Sequence, residues 1–539
     1  MTATTKETLK TILGEMPFTA ELYWLFRQRG KPLKSRFSLK NLQSNLPQMV
    51  QTAAALRENA PQGKKVFVFA TLHYWIEHAA ALGITLAGQG HEVTLGFIPH
   101  SDWQKPINRF DLRRQNAYAR KVLELAHPVM KTISFMNVRT SSRGLPEKMI
   151  EAVRQVSEYD TQYTLQVEEA DPESEIFKIR YERNLEAARI GMAVLRYIKP
   201  DVVIIPNGTI MELGVIYRLA KFMGIEVVTY EFGDQRQRIW VGQNREIMRQ
   251  ETDDLWTARS ELPLADAQLQ KVRDMFAARQ RADLWQNFSR LWQDTPVQGG
   301  EKVRAELGLD QRPIVLLATN VLGDSLTLGR QVFSQSMSNW ISRTVQYFIG
   351  RPDVQLVIRV HPGELLIHGQ SMVDVVKSLS PELPEHIHLI GPSEKINTYD
   401  LVEVADLGLV YTTTVGLEMA MSGRPVIVAG QTHYRERGFT HDPDSWVNYF
   451  KMVGRILREP KASRLTREQV EKAWAYAYRF FFEFPRPFPW HLVRMWEDYE
   501  KRSIADVLSP AGLETYGQTL SYLVGEPMDW SQIKEVKEE

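Results

Sequence analysis

The chain has no cysteine in its 539 residues. That excludes a disulfide framework, a thiolate metal site and a cysteine nucleophile, and it fits a reducing interior. It also lacks a long apolar run: the best, Val66 to Ala70 and Val202 to Pro206, fall far short of the roughly 20 residues that cross a bilayer. The opening Met1 to Met16 sets Lys6, Lys10 and Glu15 among threonines, without the uninterrupted apolar core of a signal peptide. Neither charge is in surplus, since Lys+Arg 66 against Asp+Glu 65 leaves +1. The whole-molecule field therefore gives no reason to expect nucleic acid as a partner. The expectation from these absences is a cytoplasmic protein, soluble or peripheral to the inner face of the plasma membrane.

What is present is a chain too long for one ordinary hydrophobic core, which implies two domains. Short β-branched runs alternate with longer amphipathic stretches, the pattern of parallel sheets covered by helices on both faces. In the first half, strands are expected at Lys65 to Ala70, Glu92 to Phe97, Asp201 to Ile205 and Glu226 to Tyr230. Between the second and third of these the chain is charged and helix-leaning. There Leu185, Ala188, Met192 and Leu195 fall at helical spacing before Pro200 stops the run. A second series is expected at Ile314 to Ala318, Val354 to Val360, His386 to Ile390, Leu407 to Tyr411 and Pro425 to Ala429. The polar, helix-prone stretch Leu264 to Asp294, broken by Pro296 to Gly300, separates the two series. The expected fold class is α/β, with two Rossmann-like doubly wound domains facing a cleft. The first covers 1–260 with a helical insertion at about 103–200, then a helical linker covers 261–300 and the second domain 301–470. An aromatic-rich segment, 471–539, is expected to pack back across both.

Open sheets of this kind bind ligands outside the carboxyl ends of their strands, which directs attention to three loops of the second half. The strand ending at Val360 runs into His361-Pro362-Gly363-Glu364, with Arg359 two positions before the histidine. Either His361 caps a turn, or its imidazole aims at a phosphate and Arg359 adds a planar, permanently charged donor. After Tyr411 come Thr412, Thr413, Thr414 and Gly416, then Glu418 one turn on. Free N–H groups at a helix start favour an anion such as a pyrophosphate, Thr413 or Thr414 suits the N-cap, and Glu418 is an acceptor for ribose hydroxyls. The plainer reading is a threonine cap and a solvated glutamate. After Ala318, Asn320 donates and accepts at once, while Asp324 and Ser325 suit a helix cap.

In order and spacing these motifs resemble the bacterial capsule-polysaccharide biosynthesis transferases, a family that includes the Kdo transferases of capsule export systems. His361-Pro362 resembles the family's His-Pro motif, Asn320 to Ser325 its glutamine-then-Asp-Ser loop, and Thr412 to Gly416 with Glu418 its hydroxyl, glycine and glutamate segment. Gln431 to Thr440 is similar to its tyrosine and glycine run. Asn207-Gly208 and Glu231-Phe232-Gly233, ahead of Gly242, are similar to its Asn-Gly and Glu-x-Gly pairs. Asn320 stands where the family has glutamine, and the helical stretch before Asp201 has no counterpart. The resemblance covers roughly Val202 to Phe439. It implies a GT-B fold, a nucleotide sugar held mainly by the second domain, and a surface glycan as product. It further implies a metal-independent glycosyltransferase that uses CMP-Kdo or a related nucleotide sugar as co-substrate and needs no cofactor.

Glycosyl transfer passes through an oxocarbenium-like transition state, so a site must stabilise a leaving phosphate and take a proton from an acceptor hydroxyl. The first task falls to Arg359, His361, Pro362 and the Thr412 to Gly416 segment, with Glu418 on the ribose. The base is sought at Glu231 and Asp234, in the loop after the strand ending at Tyr230, where solvated loop carboxylates are the plainer alternative. His73, Glu77 and His78 suit core or capping roles, and His441 with Asp442 lacks the clustered ligands of a metal site. The expected partners are a nucleotide-sugar donor and a glycan or glycolipid acceptor, with no nucleic acid. The aromatic run from Trp474 to Trp496, interleaved with Arg479, Arg486 and Arg494, is a candidate membrane-interface patch, although prolines 485, 487 and 489 favour packing across the domains. Two rival functions share these features: a nucleotide-sugar epimerase, and a non-catalytic nucleotide-sugar-binding assembly protein.

Overall fold

The computed structural model describes residues 3–31, 37–140, 144–280, 295, 297–366, 369–380 and 382–533. The β-branched runs of the first half become β1 (Lys65–Thr71), β2 (Glu92–Ile98), β3 (Met130–Ser134), β4 (Val202–Pro206), β5 (Glu226–Glu231) and β6 (Arg238–Gln243). Only the first residue of β1 and of β2 is exposed and the rest are buried, as befits parallel strands covered on both faces. The second half builds β7 (Ile314–Ala318), β8 (Gln355–Arg359), β9 (Ile387–Ile390), β10 (Leu407–Val410) and β11 (Val426–Val428). All five are parallel, in the order β11-β10-β7-β8-β9. Then β12 (Arg486–Pro487) returns to pair antiparallel with β6, giving the first sheet the order β12-β6-β5-β4-β1-β2-β3. Strand order reverses between β1 and β4 in one sheet and between β7 and β10 in the other, and such reversals are where doubly wound sheets leave a crevice for ligands. Two Rossmann-like domains of this kind are the GT-B architecture.

Three strands depart from the sequence expectation. β3 lies within the stretch expected to be helical; it sits at the sheet edge with Lys131 exposed, so it presents no continuous apolar run. The remainder of that insertion is helical, at Arg109–Leu123, Glu147–Leu165 and Glu175–Ile198. β6 carries Arg238 and Gln243 at its ends, and β12 is only two residues long; neither has the composition of a buried strand. The expected linker contains the helix Asp266–Gln280, while 281–294 and Pro296 lie outside the described residues.

Most of the C-terminal aromatics pack into the interior, as the prolines among them favour. Phe480, Phe482, Phe484, Phe488 and Trp490 are all buried, and they belong to one continuous apolar core that runs from Val66 and Val68 of β1 to Val410 of β10. Within it His433 stacks on Phe480 with ring centroids 3.6 Å apart, and Phe488 lies 5.6 Å from His78. The rings fill the seam between the two sheets, so hydrophobic burial holds the domains together as well as forming each one.

Candidate functional site

The loops after β7, β8 and β10 meet at the carboxyl edge of the second sheet. Thr319 Oγ1 accepts from the His361 N–H at 3.0 Å, and Asn320 Oδ1 accepts from the Thr412 N–H at 3.1 Å across the strand-order reversal. The Gly363 N–H donates to His361 Nδ1 at 3.0 Å, so the neutral imidazole carries its proton on Nε2. His361 and Thr412 to Thr414 line a cavity of about 550 Å³ whose opposite wall is formed by Gly233, Asp234, Arg238 and Trp240 of the first domain.

A smaller hollow of about 150 Å³ adjoins it, lined by Arg359, Asn397, Tyr399 and Glu418 among others. Arg279, His361, Thr413 and Thr414 line both, so they form the wall the two hollows share. Arg279 is a site residue the sequence did not reveal. It projects from the helix Asp266–Gln280, and its Nη1 pairs with Glu418 Oε1 at 3.0 Å. Burial opposes the charge on Arg279, but Glu418, Tyr399 and Asp234 together outweigh it and raise the guanidinium's pKa. Arg238, Arg249 and Arg330 add three more guanidinium groups to the larger cavity. Burial, reinforced by Arg249, pushes Arg330 down to about 10. Thr412 Oγ1, Arg330 Nε and His433 Nε2 are buried without a hydrogen bond among the described residues. Desolvating such a group costs about 1–3 kcal/mol unless a partner is supplied, which suits a polar, anionic occupant.

Several expected roles change with the geometry. Arg359 lines the smaller hollow, yet its Nη1 donates to the Gly391 carbonyl at 2.7 Å and its Nη2 to that of Glu394 at 3.4 Å. Burial pushes it down to about 10, and it is spent largely on bracing the loop after β9. Glu418 is not solvated, since it faces Arg279. Gly416 does not serve the close approach of an anion: a Cβ there would sit 2.5 Å from Tyr434 Oη, which itself donates to the Thr413 carbonyl at 2.5 Å. The glycine thus lets a buried tyrosine lock the threonine loop. Thr414 precedes the helix Val415–Met421 but makes no side-chain cap, and Thr413 Oγ1 accepts from the Val415 N–H at 3.4 Å. Asp324 and Ser325 cap no helix. Asp324 Oδ1 accepts from the Leu326 N–H at 2.9 Å in a local turn, and Asp324 lines the larger cavity; the next helix, Met337–Ile349, is capped by Ser336. Pro362 opens a short 3₁₀ turn and lines the smaller hollow.

On the first domain's side, Asp234 lines the larger cavity and Glu231 does not. Glu231 Oε2 accepts from Asn207 Nδ2 at 3.1 Å and its Oε1 from the Phe232 N–H at 3.0 Å, yet burial outweighs both and pushes the carboxyl up to about 7. Asn207 (φ 59°) and Met211 (φ 56°) hold left-handed backbone in the loop after β4, a conformation costing roughly 1–3 kcal/mol for a non-glycine residue. The loop is fixed from behind: Asp160 Oδ1 accepts from the Met211 N–H at 2.5 Å, and Asp160 pairs with Arg180 at 3.2 Å. Arg180 also pairs with Glu212 at 3.4 Å, which pairs with His100 at 3.2 Å. Burial alone would raise Glu212, but Arg180 and His100 hold its carboxyl well below the usual range. His78 is fully buried beside Tyr230 Oη at 3.3 Å, and Glu77 accepts from Trp496 Nε1 at 3.0 Å. His73 is partly buried and lowered by that burial. Asp442 accepts from Thr440 and from the Glu436 N–H. Among the described residues no group of three His, Cys, Asp or Glu side chains is placed to hold a metal ion.

Residues 280–474 match the model of the family described as capsule polysaccharide biosynthesis protein. The match bears out the resemblance to that transferase family and takes in the His361, Thr412 to Gly416 and Gln431 to Thr440 segments. None of the curated proteins matches the chain. Among solved structures, the beta Kdo 2,4 transferase of Thermosulfurimonas dismutans KpsC is 16% identical, with 54% of this chain and 82% of that one covered at a TM-score of 0.34. The beta Kdo 2,7 transferase of the same KpsC is 13% identical, with 58% and 88% covered at 0.32. The UDP-GlcNAc 2-epimerase of Neisseria meningitidis is 14% identical, with 77% and 99% covered at 0.25. The two doubly wound sheets, one all-parallel and one with an antiparallel edge at β6 and β12, rather than these distant likenesses, define the fold class.

Proposed function

We propose that this chain is a glycosyltransferase that moves a sugar from a nucleotide-activated donor to a capsular or other surface glycan. One observation carries the reading: Arg279, His361, Thr413 and Thr414 stand on the wall common to a small hollow within the second domain and a larger one facing the first. A phosphate linker at that wall places a nucleoside on one side and a sugar on the other. The donor's nucleoside takes the smaller hollow, beside Asn397, Tyr399 and Glu418. Its sugar enters the larger one, against Asp234 and the arginines.

In this reading the chemistry divides between the domains. His361 donates through Nε2 to the leaving phosphate, and Arg279 adds a permanent charge, so negative charge that develops in the transition state meets donors already in place. Asp234, or Glu231 held near neutrality, takes the acceptor's proton; a carboxyl with a pKa of about 7 is well matched to general-base work at physiological pH. The Asp160–Arg180 pair braces the loop after β4, from which Asn207 donates to Glu231.

A thermal-shift panel of CMP, UDP, GDP and dTDP tests donor binding, because a ligand of the native state raises apparent stability by mass action. One nucleotide is expected to stand out, and CMP-Kdo is the first donor to try with it. Product analysis with donor alone separates transfer from epimerisation. No stabilisation by any of the four, or conversion of the donor's sugar without an acceptor, refutes the proposal.

A further inference from the structure

Exposed large apolar side chains are not spread evenly over this surface. Leu9, Ile12, Met16, Phe18, Leu22, Tyr23, Leu25 and Phe26 are all exposed within 18 consecutive positions, whereas elsewhere such residues occur singly. They lie on the helix Ala3–Glu15, on Thr19–Leu22, and on the π-helical turn Tyr23–Arg27. Phe18 and Phe26 are 71% and 74% exposed and Ile12 56%, and so dense a run of exposed apolar side chains on one short segment marks an interaction surface.

The segment is a built platform, not a loose tail. Trp24 and Ala20 are buried beneath it. Arg113, from the helix Arg109–Leu123, donates to the Gly14 carbonyl at 2.9 Å and the Met16 carbonyl at 2.7 Å, and pairs with Glu21. Tyr23 meets Phe110 of the same helix at 5.5 Å. The rings that remain outside are therefore held outward by the fold.

Charge identifies the occupant. Glu7, Glu15 and Glu21 are each engaged by a basic side chain, Lys10, Arg109 and Arg113 respectively. From Leu22 to Lys31 the sequence holds Arg27, Arg29 and Lys31, all exposed, and no acidic residue. A two-fold contact with a second copy would set this cationic strip near its own image, whereas apolar side chains bordered by Lys and Arg match the boundary between acyl chains and anionic headgroups. No helix among the described residues is long and apolar enough to span a membrane, so the contact is interfacial. We propose that residues 9–31 dock the protein on an anionic bilayer surface, with Phe18 and Phe26 inserted and Arg27, Arg29 and Lys31 on the headgroups. This stands independently of the transferase reading.

The test is co-flotation of the full chain with vesicles of phosphatidylcholine mixed with phosphatidylglycerol, and with vesicles of phosphatidylcholine alone. Wild type is expected to float with the anionic vesicles, in a salt-sensitive manner. The variant F18S/F26S, which alters only exposed side chains, should partition about tenfold less or worse on both. R27Q/K31Q should lose binding on the anionic vesicles only. Unchanged melting temperatures confirm that both variants are folded. Wild type that stays in solution, F18S/F26S that floats like wild type, or a concentration-dependent dimer abolished by F18S/F26S in the absence of vesicle binding would each overturn the proposal.

Discussion

Glu231→Gln separates two effects that one half-buried carboxyl ties together. Burial lifts Glu231 from 4.5 to about 7 in the folded protein. At about 1.4 kcal/mol per pH unit, that corresponds to roughly 3 kcal/mol favouring the neutral form. Below about pH 4.5 the group is neutral in both folded and unfolded chains, and wild type keeps its full stability. As pH rises toward about 7 the unfolded carboxyl ionises while the folded one resists, so stability falls through that window and then levels off. If Glu231 rather than Asp234 takes the proton, it must be ionised to act, and kcat/KM should then rise through the same pH range in which stability is lost. Urea unfolding of wild type and Glu231→Gln at about pH 4 and about pH 8 checks the first trend. The gap between the two proteins should change by roughly 3 kcal/mol in favour of the variant as pH rises, and the variant should show no activity step near pH 7. Parallel stability curves for the two proteins would refute the burial reasoning. A variant with full activity would shift the proton-taking role to Asp234.

His361→Ala should weaken binding of the preferred nucleotide by roughly tenfold to a hundredfold, the worth of one charge-assisted hydrogen bond, measured by titration calorimetry. Glu418→Ala should weaken it less directly, by freeing Arg279. Unchanged affinity in both would remove the shared phosphate wall. Gly416→Ala places a Cβ 2.5 Å from Tyr434 Oη and should destabilise the protein by about 1–3 kcal/mol, with a lower melting temperature and weaker nucleotide binding together. Arg180→Met strands Asp160 and Glu212 in the interior and should cost about 3–5 kcal/mol in denaturant unfolding.

The nine strands expected from β-branched runs all form, because such runs buried on both faces have few alternatives. β3, β6 and β12 were illegible for the opposite reason: Lys131, Arg238 and a two-residue length mark strands at or next to the sheet's edges that take their conformation from a neighbouring strand. The three loops of the second domain were legible because strand ends dictate where they meet. Side-chain duties within them were not. The Arg279–Glu418 pair joins residues 139 apart, and the contact of Gly416 with Tyr434 is a packing fact with no local signature. The C-terminal aromatics allowed a membrane patch as well as packing across the domains, and the prolines that favoured packing pointed the right way: Phe480, Phe482, Phe484, Phe488 and Trp490 are interior. The exposure of the apolar residues near the N-terminus has no local signature, since helical spacing alone does not tell which face a neighbour covers.

β12 gives the polypeptide two passages between its halves: once outward along the stretch before β7, and once homeward through Phe480 to Pro487. The two passes touch: Phe276 on the outward helix lies 5.8 Å from Phe481 on the homeward one, and the Arg279 guanidinium stands 4.8 Å from that same ring. Phe481 also lines the larger cavity, so displacing either crossing disturbs the other and the wall of the cavity together.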